Sequence, residues 1–299
     1  MNSLRIALIG AGNVATHLGA ALLDAGHRVV QVYSRTECSA SALAARLECG
    51  WTTDVERITA EAELYLFCVR DAVLEELARR VYDHLSKNPS PHANLLVEAD
   101  ENPSPHANLH QYADENPSPH AYRPLGADAL FVHTAGCMPL DVLPAARRGV
   151  LYPMQTFSRE RAVRFSEIPI FVESPSDADL LMTLASQLSR HACVMDGERR
   201  RVLHVAAVFA CNFVNHMYDL SDRILCEAGI PFEVMLPLID ETARKVHELP
   251  PHRAQTGPAV RFDLNVMRQH MALLADGRDR EIYELLSRSI HDRLQPYKD

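Results

Sequence analysis

Apolar positions follow two alternating rhythms along this chain. Leu4-Arg5-Ile6-Ala7-Leu8-Ile9 is a short, nearly unbroken apolar run that stops at Gly10, the pattern of a parallel strand buried on both faces. Val14, Leu18, Ala21, Leu22 and Ala25 then recur at helical spacing, and Gly26 supplies a stop. The alternation continues with strands predicted at Arg28 to Tyr33, Leu64 to Val69 and Ala129 to His133, and helices at Ser39 to Leu47 and Asp71 to Leu85. Short strands follow at Gly149 to Tyr152, Ile168 to Val172 and Ala192 to Met195, with a helix between Ser176 and Arg190. Strands separated by helices imply right-handed crossovers, so the expected fold class is α/β with a doubly wound parallel sheet. After Gly197 the strand signal fades. Arg199 to Ala228, Pro231 to His247 and Phe262 to the C-terminus read as helices, which divides the chain into a domain at 1–197 and an all-helical domain at 198–299.

One segment breaks the rhythm. Asn88-Pro89-Ser90-Pro91-His92-Ala93-Asn94 returns from Asn102 to Asn108, and its first six residues return again from Asn116 to Ala121, a period of fourteen residues. Paired prolines forbid continuous helix, and the unit is too short for a solenoid repeat, so 88–122 reads as a tandem insertion in the loop before the strand at 129. Nothing fixes a geometry for His92, His106 and His120, which read as solvated loop histidines; no metal site is expected.

Composition narrows the classes. A net charge of −9 over 299 residues gives no general attraction to nucleic acid or to anionic lipid, so neither is expected as a partner. No run approaches the roughly 18 apolar residues of a membrane span, and the glycines after Ile9 interrupt the one N-terminal stretch that resembles a signal peptide. The seven cysteines are odd in number and lack a Cys-x-x-Cys pair; reduced, partly buried thiols in a cytoplasmic protein is the expectation.

Chemistry enters at the first turn. Gly10-Ala11-Gly12-Asn13-Val14-Ala15 places glycines where a strand turns tightly into a helix, with a small residue third for close packing. This is the dinucleotide-binding pattern of a Rossmann-type sheet, in which phosphate rests on the unpaired N–H groups opening the helix. The second strand ends in Ser34-Arg35-Thr36, where an NAD-selective site has Asp or Glu. Arg35 suits a 2′-phosphate and the two hydroxyls can donate to it, so the expected cofactor is NADP; the competing arrangement is a solvated Arg35 with Glu37 turned in to hold NAD. Val69-Arg70-Asp71 and His133-Thr134-Ala135-Gly136-Cys137 close later strands at the ligand-binding end. Asp71 reads as a helix cap that shapes the cofactor pocket, while His133 and Thr134 read either as cofactor wall or as satisfied structural groups.

In the helical part His204, Val208, Cys211 and Asn215 share one helical stripe, with Asn212 beside it. Polar residues on this largely apolar helix need buried partners or a polar cavity. Thr256-Gly257-Pro258-Ala259-Val260-Arg261 is either a capped interhelical turn or a donor-rich substrate grip.

Taken with Tyr152-Pro153-Met154-Gln155-Thr156-Phe157, these motifs resemble a family of Rossmann-like proteins carrying a C-terminal helical domain of unknown function. That family is similar to pyrroline-5-carboxylate reductases, deazaflavin-dependent NADP oxidoreductases and the 6-phosphogluconate dehydrogenase-like group. The resemblance covers nearly all the chain except 88–122. It implies NADP(H) bound between the domains, a small-molecule substrate and a homodimer through the helical domain. Two departures stand out, Phe262 where glycine is expected and Cys137 where serine is common. The reaction expected is hydride transfer to or from a small C=O or C=N substrate. His204 then exchanges the proton, Asn212 orients substrate, and Thr256 and Arg261 grip it. No lysine lies between Lys87 and Lys245, which excludes the lysine mechanism of related hydroxyacid dehydrogenases. The rival is a noncatalytic NADP-binding sensor on the same fold.

Overall fold

The computed structural model describes residues 3–88, 126–275 and 277–294. One mixed sheet of eight strands organises its first part: β1 (Arg5–Ile9), β2 (Arg28–Tyr33), β3 (Gly50–Thr52), β4 (Leu64–Phe67), β5 (Leu130–His133), β6 (Arg148–Pro153), β7 (Ile170–Glu173) and β8 (Ala192–Val194). Their spatial order is β3-β2-β1-β4-β5-β6-β7-β8. The order reverses between β1 and β4, the topological switch point beside which open α/β sheets bind ligands.

Strand periodicity builds the two faces. Ile6 and Leu8 point to one side with Leu64, Leu66, Leu130 and Val132, where α1 (Asn13–Asp24) and α2 (Glu37–Leu47) cover them. Ala7 and Ile9 point to the other with Tyr65, Phe67 and Phe131, beneath α3 (Asp71–Lys87). Burial on both faces is why these strands are apolar throughout. Helix α4 (Ala178–Leu188) returns to the first face through Leu181, Leu184 and Leu188.

The structure differs from the expected sheet in two places. Gly50–Thr52 pairs in parallel with β2 as an edge strand; with only Thr52 buried in it, it carries no apolar run. β7 runs antiparallel to β6, and β8 is parallel to β7. Periodicity does not encode strand direction. The direction has a consequence, because an antiparallel neighbour begins where β6 ends, so the connection 154–169 stays at the C-terminal end of the parallel strands.

The chain separates into two compact units, Met1–Val208 and Phe209–Asp299. Helix α5 (Gly197–Ala207) thus belongs to the first, beyond the division expected near 197. The second holds α6 (Val214–Glu227), α7 (Leu236–Glu248), the short α8 (Pro251–Ala254) and α9 (Pro258–Arg261), α10 (Leu264–Leu273) and α11 (Gly277–Leu294). The long helix expected from Arg199 to Ala228 is interrupted by a π-helical turn at Val208–Phe213. That wider turn breaks the stripe drawn from His204 through Val208 and Cys211 to Asn215. The repeat at 88–122 lies outside the described residues apart from Asn88. Among the described residues no helix is long and apolar enough to cross a membrane.

Candidate functional site

The turn after β1 is built around two glycines with different tasks. Gly10 has φ +118°, and a Cβ there would lie 2.4 Å from the Cys68 carbonyl oxygen. Only glycine lets β1 leave the sheet this close to the end of β4. Gly12 caps α1 with extended backbone, and a Cβ there would meet nothing within 4 Å. Its missing side chain leaves open the space where phosphate reaches the helix N-terminus, and no side chain caps that end of α1. Ala15, the third small position, is fully buried.

A cleft of about 380 Å³ opens over this turn, lined by Gly10, Ala11, Gly12, Ser34, Arg35, Ser39, Val69 and Val73. Arg70, Arg80 and Arg159 join Arg35 in its walls, and Glu76 is the one carboxylate lining it among the described residues. The cleft therefore favours a multiply charged anion with an apolar body, which Val69, Val73 and Leu77 can contact. These features fit a dinucleotide, with the glycine turn and the open helix end suited to its pyrophosphate.

A second polar cluster lies beyond β5 and β6. Arg200 on α5 is fully buried, yet Nη1 donates to the carbonyls of Ala135, Gly136 and Met138 at 2.7, 3.1 and 2.9 Å. Its Nη2 pairs with Glu173 at 3.0 Å. One turn further along α5, the Nδ1 of His204 lies 2.9 Å from the hydroxyl of Tyr152 at the end of β6. A Cβ on Gly136 would stand 2.3 Å from that same Nδ1, so the loop held by Arg200 needs glycine here for the ring to fit. Burial raises the Tyr152 pKa, with Cys137 adding to the shift and Arg200 opposing it. The pair can hold a proton on either atom and pass it between them.

The other expected site residues are distributed as follows. Ser34, Arg35 and Val69 line the cleft with Gly10 and Gly12. Asn13 opens α1, but its amide donates to the Phe157 carbonyl at 2.7 Å, and Val14 packs against the core. Thr36 is the N-cap of α2 without a side-chain cap bond. Asp71 is the first residue of α3 and not its cap, which is Arg70. It sits close enough to Cys137 to raise the thiol's pKa, after desolvation. His133 and Thr134 face inward. His133 is fully buried and its Nδ1 accepts from the Ala135 N–H, while the Thr134 hydroxyl donates to the Phe67 carbonyl. These bonds are those of the structural alternative, although the His133 Nε2 is buried without a partner among the described residues.

The remaining residues belong to the second unit. Asn212 is exposed on the π-helical turn, Thr256 is exposed before Gly257, and Arg261 ends α9 on the surface. Phe262, standing where glycine was expected, takes the left-handed conformation glycine favours, φ +52°, with its ring stacked on His291. Among the described residues no group of three or more His, Cys, Asp or Glu is placed to hold a metal. Arg80, Arg159 and Arg200 went unread in the sequence, and Arg70 was read only within Val69-Arg70-Asp71; the Arg199-Arg200-Arg201 run near the start of α5 was the available signal for Arg200.

Residues 1–90 match a Rossmann-like domain and residues 168–290 match the domain of unknown function DUF2520. A solved structure from Bacteroides fragilis, a protein carrying the provisional name NADP oxidoreductase, is 44% identical, with 97% of this chain and 99% of that one covered at a TM-score of 0.80. An imine reductase of Myxococcus stipitatus in complex with NADP+ shares the fold at 14% identity, covering 97% and 92% with a TM-score of 0.58. A pyrroline-5-carboxylate reductase of Coxiella burnetii does so at 14% identity, covering 98% of each chain with a TM-score of 0.50. No curated protein matches the chain.

His133 gives this site a measurable pH signature. Burial, reinforced by the Arg200 charge and opposed by the Pro139 carbonyl, lowers its pKa to about 3. An unfolded histidine titrates near 6.5, so between about pH 6.5 and 3 the unfolded chain binds a proton that the folded chain does not. The stabilisation is complete above about 6.5 and falls with pH by at most about 1.4 kcal/mol per unit. In urea unfolding at pH 7 and pH 5, His133→Gln should lose less stability on acidification than wild type; equal losses would show that His133 is not buried neutral.

Proposed function

The chain belongs to the family of the Bacteroides fragilis protein, a Rossmann-like domain followed by DUF2520, and from that premise we propose that it is an NADP(H)-dependent oxidoreductase acting on a small C=O or C=N compound. The observation that carries this reading is the cleft at the β1/β4 switch point, where the open Gly12 and Arg35 share one arginine-rich wall. Bound NADP(H) supplies the hydride. The protein supplies the proton. The substrate oxygen or nitrogen gains it from the Tyr152–His204 pair in the reducing direction and returns it in the oxidising one, with Arg200 fixing the loop against which His204 packs. A pair of hydrogen-bonded titratable side chains here favours turnover over the sensor alternative. Asn212, Thr256 and Arg261 lie in the second unit and offer an amide, a hydroxyl and a guanidinium, groups suited to a small polar or carboxylated compound.

The second unit also supports a homodimer. It leaves Phe209, Leu238, Leu273 and Leu285 more than half exposed, while among the described residues its buried apolar side chains are Leu220, Leu225, Ala259 and Met267. Burial of such residues against the same face of another copy is the usual remedy. Sedimentation equilibrium should give about twice the chain mass of 33.4 kDa, and a monomer at micromolar concentration would reject the pairing.

The enzymatic claim is tested by screening carbonyl, imine and hydroxyacid compounds while following NADPH absorbance. On any compound turned over, His204→Ala should lower kcat by about 10²-fold or more with NADPH affinity nearly unchanged. Tight NADPH binding with no oxidation across all three classes would favour the sensor.

A further inference from the structure

The stretch Met154–Arg159, which includes most of the Tyr152-Pro153-Met154-Gln155-Thr156-Phe157 motif, has no task in the reading above. It leaves β6 at the C-terminal end of the sheet and stays there, because β7 begins at that end. Three ties fasten it to the opening of α1. The Asn13 amide donates to the Phe157 carbonyl, and the His17 ring bonds the Ser158 carbonyl at 2.8 Å while stacking on Phe157. The Arg159 guanidinium donates to the Ala11 carbonyl, within the glycine turn itself, and lines the cofactor cleft.

We propose that Arg159 is the cation that binds the pyrophosphate of the dinucleotide, a role resting on the NADP(H) site inferred above. A helix N-terminus offers only about half a positive charge, and Arg35 lines the cleft just after β2, where the 2′-phosphate belongs. Arg70 and Arg80 line the cleft from the start and the body of α3, whereas Arg159 is hydrogen-bonded to the glycine turn itself. Arg159 commits one N–H to Ala11, and a guanidinium has five, so it remains oriented toward the turn with donors to spare for phosphate oxygens. The connection 154–169 thereby becomes the second wall of the phosphate site, brought there by the reversed strand.

Calorimetric titration of the full chain with NADPH, NADH and adenosine 2′-monophosphate separates the two arginines. Arg159→Ala should weaken NADPH and NADH by the same factor, about 10-fold or more, and leave adenosine 2′-monophosphate unchanged, since that ligand has no pyrophosphate. Arg35→Ala should do the reverse, weakening NADPH and adenosine 2′-monophosphate while sparing NADH. Arg159→Gln removes the charge and keeps a polar amide at this position. It should match Arg159→Ala in affinity with a wild-type melting temperature, which separates a ligand contact from a structural latch. Wild-type NADPH affinity in Arg159→Gln, or an equal loss for adenosine 2′-monophosphate, would overturn this assignment alone. A wild-type protein that binds neither dinucleotide would overturn the cofactor reading and this one with it.

Discussion

Between the exits of β1 and β4 there is no room for a side chain. At Gly10 a Cβ would sit 2.4 Å from the Cys68 carbonyl, in a backbone conformation that L-residues rarely adopt. The close approach lets the Gly10 N–H reach the Tyr33 carbonyl and the Cys68 N–H reach the Ile9 carbonyl, so three strand ends meet around one turn. From that point α1 starts, and Arg35 and Val69 line the cleft with the glycine turn. The space left open at Gly12 is useful only because the crowding at Gly10 fixes where the helix begins.

The second constraint is electrostatic. A fully buried guanidinium is costly unless its donors are met. Arg200 meets most of this condition, Nη1 through three carbonyls from the loop after β5 and Nη2 through Glu173 from β7, while its Nε has no partner among the described residues. It thus joins two strand exits to α5, and His204 follows one turn later at bonding distance from Tyr152. Positions along α5 are set by a buried charge as much as by apolar packing, which is why the helix stays with the sheet and the compact units divide at Val208.

Much of the sheet was legible because doubly buried strands leave apolar runs and glycine turns leave a spacing. What was not legible depended on direction, distance or brevity. β3 has three residues and one buried side chain, too little for a pattern. The reversal of β7 is invisible in hydropathy, and with it the return of Arg159 to a turn 148 residues earlier in sequence. Tyr152 was visible only as part of a family motif, since its partner His204 lies 52 residues away. His133 is different. It stands two residues after Phe131 on the same strand, so strict alternation already places it on the buried α3 side.

If NADP(H) occupies the cleft at the β1/β4 switch point as proposed, a crystal structure of the protein grown with NADP+ will show the pyrophosphate over Gly12 and the opening amides of α1, with the 2′-phosphate against Arg35 and Ser34. Density for the dinucleotide elsewhere, or its 2′-phosphate turned to solvent away from Arg35, would contradict it.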